Sequence, residues 1–458
     1  MPRTLVSMTT PDVARESVEK QKDRIFSDLS ELCSFNSVHS VEELKDQHTA
    51  AGDWVQAALE KHGLDVTAYQ TIDGTRTFIG TSTVDESAPT VLLYSHYDVV
   101  PAGDPAAWTS DAFTLTERDG RWYARGAADC KGNLVMHLAV LRTLSEIGGL
   151  SCNIKVVIEG SEERGGAGLD ALIDERPELF AADAILIADS GNAAVGVPTL
   201  TTSLRGGALL NVKVDTLATA VHSGSFGGAA PDAVAALMRT LDSIRDEHGR
   251  TVIDGVDCTA KWQGMDYDRD TFRTDAGMLE GTEIMGTEED SPADMLWARP
   301  AVSIIGFSST PVSEAVNAVP ATAEAQLNLR VPAGLDSAEV AEALKQHLIN
   351  HTPWGAHVDV TVFDVNKPFS TAPESKTLSV LGEALSQAYG DKNTVVIGSG
   401  GSIPLTSKLQ EKFPEAEIAL FGVEEPSCTI HSPNESVDPE EILSIAVAET
   451  LFLQNYAK

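Results

Sequence analysis

In "TVLLYSHYDVVP" (Thr90–Pro101) an apolar run ends on His96, and Asp98 follows two residues later. Imidazole and carboxylate are the side chains that hold divalent ions of the zinc class. Four other segments place the same residue types where an apolar run stops or a helix begins. "RGAADCKGN" offers Asp129, "VIEGSEERGG" offers Glu162 and Glu163, "LIADSGN" offers Asp189, and "TIHSPNE" offers His431. Carboxylates can bridge two ions, so two histidines and several carboxylates at successive strand ends make a closed ligand set for two divalent ions.

Each residue taken singly has a plainer explanation. His96 alone reads as a satisfied polar group. Asp129 before a helix reads as an N-terminal cap. Glu162–Glu163 reads as a solvated turn, and Asp189 before Ser190-Gly191 as turn chemistry. The spacing of Cys428 and His431 allows a zinc pair, but one pair is weak and Cys428 is read as a bystander. The metal reading rests on the set.

The elements that must carry these residues alternate in type. Helical spacing runs from Asp12 to His62, with Gly63 as a stop. Short runs rich in Val, Ile and Leu follow: "TVLLYS", "IKVVIEG", "AILIADS", and later "TVVIGS" and "EIALFG". Such continuous runs predict strands covered on both faces, as in a mixed, mainly parallel α/β sheet with helices over it. In that architecture ligands bind beyond the carboxyl ends of the strands. "KGNLVMHLAVLRTLSEIGG" (residues 131–149) predicts a helix ending at two glycines.

Near Arg205 the pattern changes. "GGALLNVKVDT" reads as an edge strand, and "PDAVAALMRTLDSIRDEHG" as a helix with Pro231 at its start. A polar stretch of low periodicity covers residues 251–293. Two further strand patterns and the helix "SAEVAEALKQHLI" come next. The first pattern resumes near Lys367. The expected organisation is a catalytic domain in two parts, 1–206 and 367–458, interrupted by an inserted α+β domain at 207–366.

The chain has 458 residues, of which 42% are hydrophobic, enough for two cores. Its formal net charge of −35 repels phosphate backbones and anionic lipid, so neither nucleic acid nor a membrane surface is an expected partner. The N-terminal stretch shows no signal-peptide pattern, and no run reaches membrane-spanning length. Five cysteines form an odd set without a C-x-x-C pair. A reducing cytoplasm is the expected location. Dinucleotide binding at "VVIGSGGSIP" fails because the third glycine position is Ile403. "SGSFG" at Ser223 lacks the first glycine of a nucleophile elbow.

In their order along the chain, "SHYDVVP", "GAADCKG", "EGSEE", "ADSGN" and "TIHSPNE" resemble the M20 family of co-catalytic metallopeptidases. "HSGSFGG", "LWARPAVSIIGF", "NAVPA", "LNLRVP" and "GGSIP" resemble its cytosolic dipeptidase and carnosinase-like branch. The resemblance implies that Asp129 bridges two divalent ions, zinc first, with manganese or cobalt as alternatives. His96 and Asp189 would complete one site, and Glu163 and His431 the other. Glu162 would be the general base, and Asp98 would orient the imidazole of His96. The inserted domain would be a lid and dimerisation domain of a homodimer. Its His222 would reach the partner subunit's site, and Arg330 would hold the substrate's carboxylate. Asn317, Gly401 and Ser402 would be further substrate contacts.

The implied reaction is hydrolysis of small peptides, namely dipeptides with a free C-terminal carboxylate, by a water held between the ions. The alternative is an N-acyl-amino-acid hydrolase or carboxypeptidase on the same scaffold. A non-catalytic binding protein is disfavoured, because base and ligands are all present. Two positions depart from the family pattern. Cys130 follows the bridging aspartate and suggests sensitivity to oxidation, and Val221 stands where an acidic residue usually precedes the histidine.

Overall fold

The computed structural model describes residues 10–372, 374–401 and 403–458. Two compact units divide the chain. One is built from the chain up to Thr202 together with Thr371–Ile397 and Pro404–Lys458; the other is Ser203–Ser370 with Gly398–Ile403.

The apolar runs of the first unit become a mixed sheet. At its centre Asn153–Glu159, Thr90–His96, Ala184–Ala188 and Glu417–Phe421 lie side by side, all parallel. Arg76–Ser82 and Asp65–Gln70 extend one flank antiparallel. On the other flank Leu420 pairs antiparallel with Thr201. All five residues of Ala184–Ala188 are buried, as expected for a strand covered on both faces. Helices Pro11–Glu19, Lys22–Cys33, Lys131–Ile147, Lys376–Ala388 and Pro439–Asn455 pack together. Two of them, Lys131–Ile147 and Pro439–Asn455, are buried almost all round, which matches their lack of a polar face. The predicted stops are present: Gly63, Gly148 and Gly149 all have positive φ.

The second unit is α+β. Four antiparallel strands run in the order Ala301–Ser308, Thr322–Val331, Gly206–Asp215, His357–Asn366. Helices Ala233–Asp242 and Ser337–His351 pack on this sheet. Leu210, Val212, Val214, Leu327 and Leu329 meet Leu237, Leu344 and Leu348 in its core. Two expectations are corrected here. Gly206–Asp215 is an interior strand, hydrogen-bonded on both sides, because its partners come from far along the chain. The helix after Pro231 begins at Ala233, capped by the Asp232 carboxylate, which accepts from the backbone N–H groups of Val234 and Ala235. The polar 251–293 stretch, of low periodicity, contains the short helix Arg269–Asp275.

Candidate metal centre

The four parallel strands deliver their carboxyl ends to one edge of the first unit's sheet. His96 is the last residue of Thr90–His96 and pairs in register with Glu159. Glu162 and Glu163 open a one-turn 3₁₀ helix beyond Asn153–Glu159, and the turn closes on Gly165 at φ +90°. Asp189 directly follows Ala184–Ala188. Asp129 lies just ahead of the Lys131–Ile147 helix. His431 sits in the loop after Glu417–Phe421 and itself adopts φ +61°.

These side chains converge. The Nε2 atom of His96 lies 3.1 Å from Asp129 Oδ1, 3.3 Å from Asp189 Oδ1 and 3.9 Å from Glu162 Oε2. Across the cluster, His431 Nε2 lies 3.0 Å from Asp129 Oδ2 and 3.1 Å from Glu163 Oε2. Asp129 therefore stands between the two imidazoles, one oxygen toward each. His96 is fully buried, while His431 is 54% exposed, so the cluster is open on the His431 side.

Asp98 works on two elements at once. Its Oδ1 is 3.3 Å from Nδ1 of His96. Its two oxygens also accept the backbone N–H groups of Glu162 and Glu163, each at 3.1 Å. An Nδ1–H directed at Asp98 leaves the Nε2 lone pair facing Asp129 and Asp189, the tautomer a ligand requires.

The electrostatics are those of an acidic cluster held together by two imidazoles. Burial opposes ionisation of Asp129, but hydrogen bonds from His431 and His96 outweigh it and hold its carboxyl well below the usual range. Hydrogen bonds to Asp129 and Glu163 push His431 up to about 10. Burial, then the charge of Asp189, pushes Glu162 far above an ordinary glutamate. Burial also raises Glu163, against its hydrogen bond with His431. Glu163 Oε1 is buried without a hydrogen-bond partner among the described residues. A cluster of convergent carboxylates containing an orphaned oxygen fits a site for divalent cations. His96, Asp129 and Glu163 lie close enough to share one ion, and Asp129 and Asp189 group likewise with Glu424.

Three residues of the site were not singled out from the sequence. Glu435, inside the "TIHSPNE" segment, accepts the N–H groups of Gly126, Ala128 and Asp129 and pairs with the buried Arg125 at 2.6 Å. It shapes the loop that presents Asp129. Glu424 approaches Asn133 at 3.4 Å, and burial raises its carboxyl. Glu159 lies buried with Tyr94 donating to it at 2.7 Å. The sequence trace of Glu159 and Glu424 is an acidic residue at the end of an apolar run, whereas Glu435 stands in a polar segment that gives no signal.

Cys130 is fully buried, and its thiol donates to the Ala188 carbonyl at 3.1 Å. Burial pushes the thiol well above its usual range, which opposes the reactivity expected of an exposed thiolate. Cys428 is buried, and its thiol donates to the Glu425 carboxylate at 3.2 Å.

The remaining expected site residues lie in the second unit, apart from Ser402, which falls outside the described residues. Strand Val221–His222 pairs with Ala318–Val319, and the Ser223 N–H bonds to the Asn317 carbonyl at 2.9 Å, so His222 and Asn317 are neighbours. His222 is exposed and its Nδ1 accepts from Gly224. The Gly401 N–H donates to Ser399 Oγ. Arg330, on Thr322–Val331, lines a cavity of about 380 Å³ together with Arg205, Arg245, Arg250 and Arg299. Arg299 and Arg250 pair with Asp290 and Asp246. Arg330 and Arg205 have no carboxylate partner among the described residues. Burial, with the charge of Arg330 adding to it, lowers Arg205 to about 10.

Comparison with known proteins bears on this geometry. The pattern of Peptidase family M20/M25/M40 matches residues 92–455. The chain is 57% identical over 438 residues to a cysteinylglycine-S-conjugate dipeptidase of Corynebacterium striatum, covering 95% of this chain and 96% of that one. It is 26% identical over 459 residues to a Cys-Gly metallodipeptidase of Schizosaccharomyces pombe, covering 94% and 95%. The crystal structure of human carnosine dipeptidase 1 superposes with a TM-score of 0.79 at 22% identity, over 98% of each chain, a likeness of fold. The chain belongs to peptidase family M20/M25/M40, and the metallopeptidase class expected from its motifs stands.

Proposed function

We propose that this protein is a two-metal dipeptidase acting on small dipeptides with a free C-terminal carboxylate, with cysteinylglycine and its S-substituted forms as the leading substrates. The observation that carries the reading is the convergence of His96, Asp129, Glu163, Asp189 and His431 on one edge of the sheet, with Asp129 between the two imidazoles. His96 and Asp189 would hold one ion, Glu163 and His431 the other, and Asp129 both. Zinc suits imidazole and carboxylate, and manganese or cobalt would fit the same donors. Divalent ions so bound supply an acidified water and polarise a carbonyl.

The chain's own residues supply the rest. Glu162 stands beside the ligands without being one of them. It takes a proton from the attacking water and returns it to the leaving amine, a role that suits a carboxyl whose pKa is raised. Asp98 fixes both the His96 ring and the turn carrying Glu162. Arg330 offers a guanidinium that has no carboxylate partner among the described residues, the planar fork suited to a terminal carboxylate. Gly401, Ser402 and Asn317 are assigned to the substrate backbone.

His222 is assigned to the partner subunit's site in a homodimer. The edge strand Ala301–Ser308 and the loop after it support self-association, because they expose Ile304, Phe307, Val312 and Val316. A cytoplasmic location is favoured by five unpaired cysteines. Among the described residues no helix is long and apolar enough to cross a membrane.

The test is a substrate panel on metal-stripped protein reloaded with zinc, manganese or cobalt separately. Turnover of Cys-Gly and S-substituted Cys-Gly should depend on the added ion. Amidation of the C-terminus should abolish most of kcat/KM. Faster hydrolysis of N-acyl amino acids than of any free dipeptide would overturn the dipeptidase reading.

A further inference from the structure

Arg330 does not stand alone in the second unit. Its register partner on the neighbouring strand is Gly207, and Arg205 lies two residues before that glycine. The alternation of an extended chain puts Arg205 and Arg330 on one face, and Gly207 brings no side chain between them. Both line the cavity of about 380 Å³. The other guanidinium groups of that wall are committed. Arg245 donates to Thr251 Oγ1 at 2.7 Å, and Arg250 and Arg299 pair with Asp246 and Asp290, each at 2.7 Å. Glu283 also lines the cavity but is exposed, and it pairs with no arginine among the described residues.

Arg205 is the group that the protein leaves unanswered. It is half-buried, yet its guanidinium makes no hydrogen bond or ion pair among the described residues, and its Nε is buried. An arginine carries five donors, and leaving donors unmet away from water is costly. Burial and the charge of Arg330 lower Arg205 in the same sense, so the two cations feel each other with nothing negative between them. The side chain is nevertheless held in place. Its backbone N–H donates to the Ser399 carbonyl at 3.3 Å, and a Cβ built on Gly400 would lie 3.0 Å from its Nη2. Two guanidinium forks on one wall, short of one anion, complement a carboxylate, whose two oxygens offer about four acceptor positions.

We propose that Arg205 is a second substrate-binding residue, which shares the C-terminal carboxylate of the dipeptide with Arg330. The inference rests on the dipeptidase reading and on the role given to Arg330 there. The carboxylate would lie between the two guanidinium groups, one oxygen toward each, and cancel their repulsion. The contact with Gly400 ties the second fork to the loop that carries Gly401. Recognition of a free chain end is then divided between two residues on adjacent strands.

The experiment measures kcat/KM of metal-loaded, full-length wild type, Arg205→Met and Arg205→Lys on Cys-Gly and on its C-terminal amide. Arg205→Met should lose about 10- to 100-fold on the free acid, chiefly through KM, since a hydrogen-bonded charge is removed. It should leave the rate on the amide nearly unchanged, with metal content and melting temperature near those of wild type. Arg205→Lys should recover only part of the loss, because a point charge does not replace a fork. If the amide turns over too slowly to read, inhibition constants of free and amidated dipeptide analogues with a reduced peptide bond give the same comparison. If Arg205→Met does not fold, Arg205→Lys decides by the same ratio of acid to amide. An arginine that merely supports the fold would lower both substrates alike. Equal losses on acid and amide, or no loss on either, in variants of a wild type that prefers the free acid would overturn the role of Arg205 alone. A wild type indifferent to amidation would overturn the underlying reading as well.

Discussion

Asp98 holds the His96 ring from behind and accepts both N–H groups of the turn that carries Glu162 and Glu163. Two neighbouring glutamates thus leave one anchor in different directions, and their substitutions should separate. Glu162→Gln should keep the metal content of wild type and lower kcat by at least ~10²-fold, since the amide replaces only the proton carrier. Glu163→Gln should instead lose metal, as read by elemental analysis. Retained turnover with lost metal in Glu162→Gln would reverse the two roles. Below them Glu159 is buried, and burial pushes its carboxyl from 4.5 to about 8, with the Tyr94 hydroxyl pulling the other way. In metal-free protein the native state keeps this proton after the unfolded chain has released it. Stability should therefore fall as pH rises from about 4.5 through about 8 and level off above. Glu159→Gln should flatten that slope by on the order of 1–3 kcal/mol, measured by denaturant unfolding across the range. Parallel pH curves for the two proteins would remove Glu159 from this account.

At the scale of elements, Glu435 is the support of the Asp129 loop. Its carboxylate joins three backbone N–H groups and the buried Arg125. Glu435→Ala would strand that guanidinium and should cost roughly 3–5 kcal/mol. Metal affinity should fall with it although no ligand is touched, and Glu435→Gln should recover part of both. Unchanged metal affinity in a folded Glu435→Ala protein would contradict the supporting role. Much of this layer was legible in the sequence. "TVLLYS", "IKVVIEG", "AILIADS" and "EIALFG" announce buried parallel strands through their unbroken apolar runs, and the ligand candidates stand where those runs end. Strand position was not legible: Gly206–Asp215 alternates like a half-buried strand, and whether it lies at an edge depends on Thr322–Val331 and His357–Asn366, far away in the chain. The role of Glu435 is illegible for the same reason. A glutamate three residues after a serine looks solvated until the distant loop it serves is folded around it.

At the scale of the whole molecule, the proposed homodimer makes a prediction that no single chain can mimic. Glu162→Ala and His222→Ala proteins should each be nearly inactive. Mixed and allowed to exchange subunits, they would form dimers in which one site has both an intact Glu162 and a partner's His222. Activity should recover toward ~25% of wild type if sites act independently in a two-fold assembly. Tagged heterodimers without recovered activity would place His222 elsewhere. The arrangement of ligands along the chain also bears on how the protein is made. His96, Asp129, Glu163 and Asp189 precede the second unit, whereas His431 and Glu435 come from the last segment of the sequence. Domains fold largely as their chain emerges. A ribosome that has finished the first proposed ligands has still to synthesise the whole second unit before the imidazole that closes the cluster appears. Until then a knot of carboxylates waits with one histidine in place of two, and the loop bearing Asp129 lacks its glutamate. On the proposed ligand set, metal loading would be a late event in biosynthesis, and a prematurely terminated chain would leave the ribosome without the imidazole that completes the cluster.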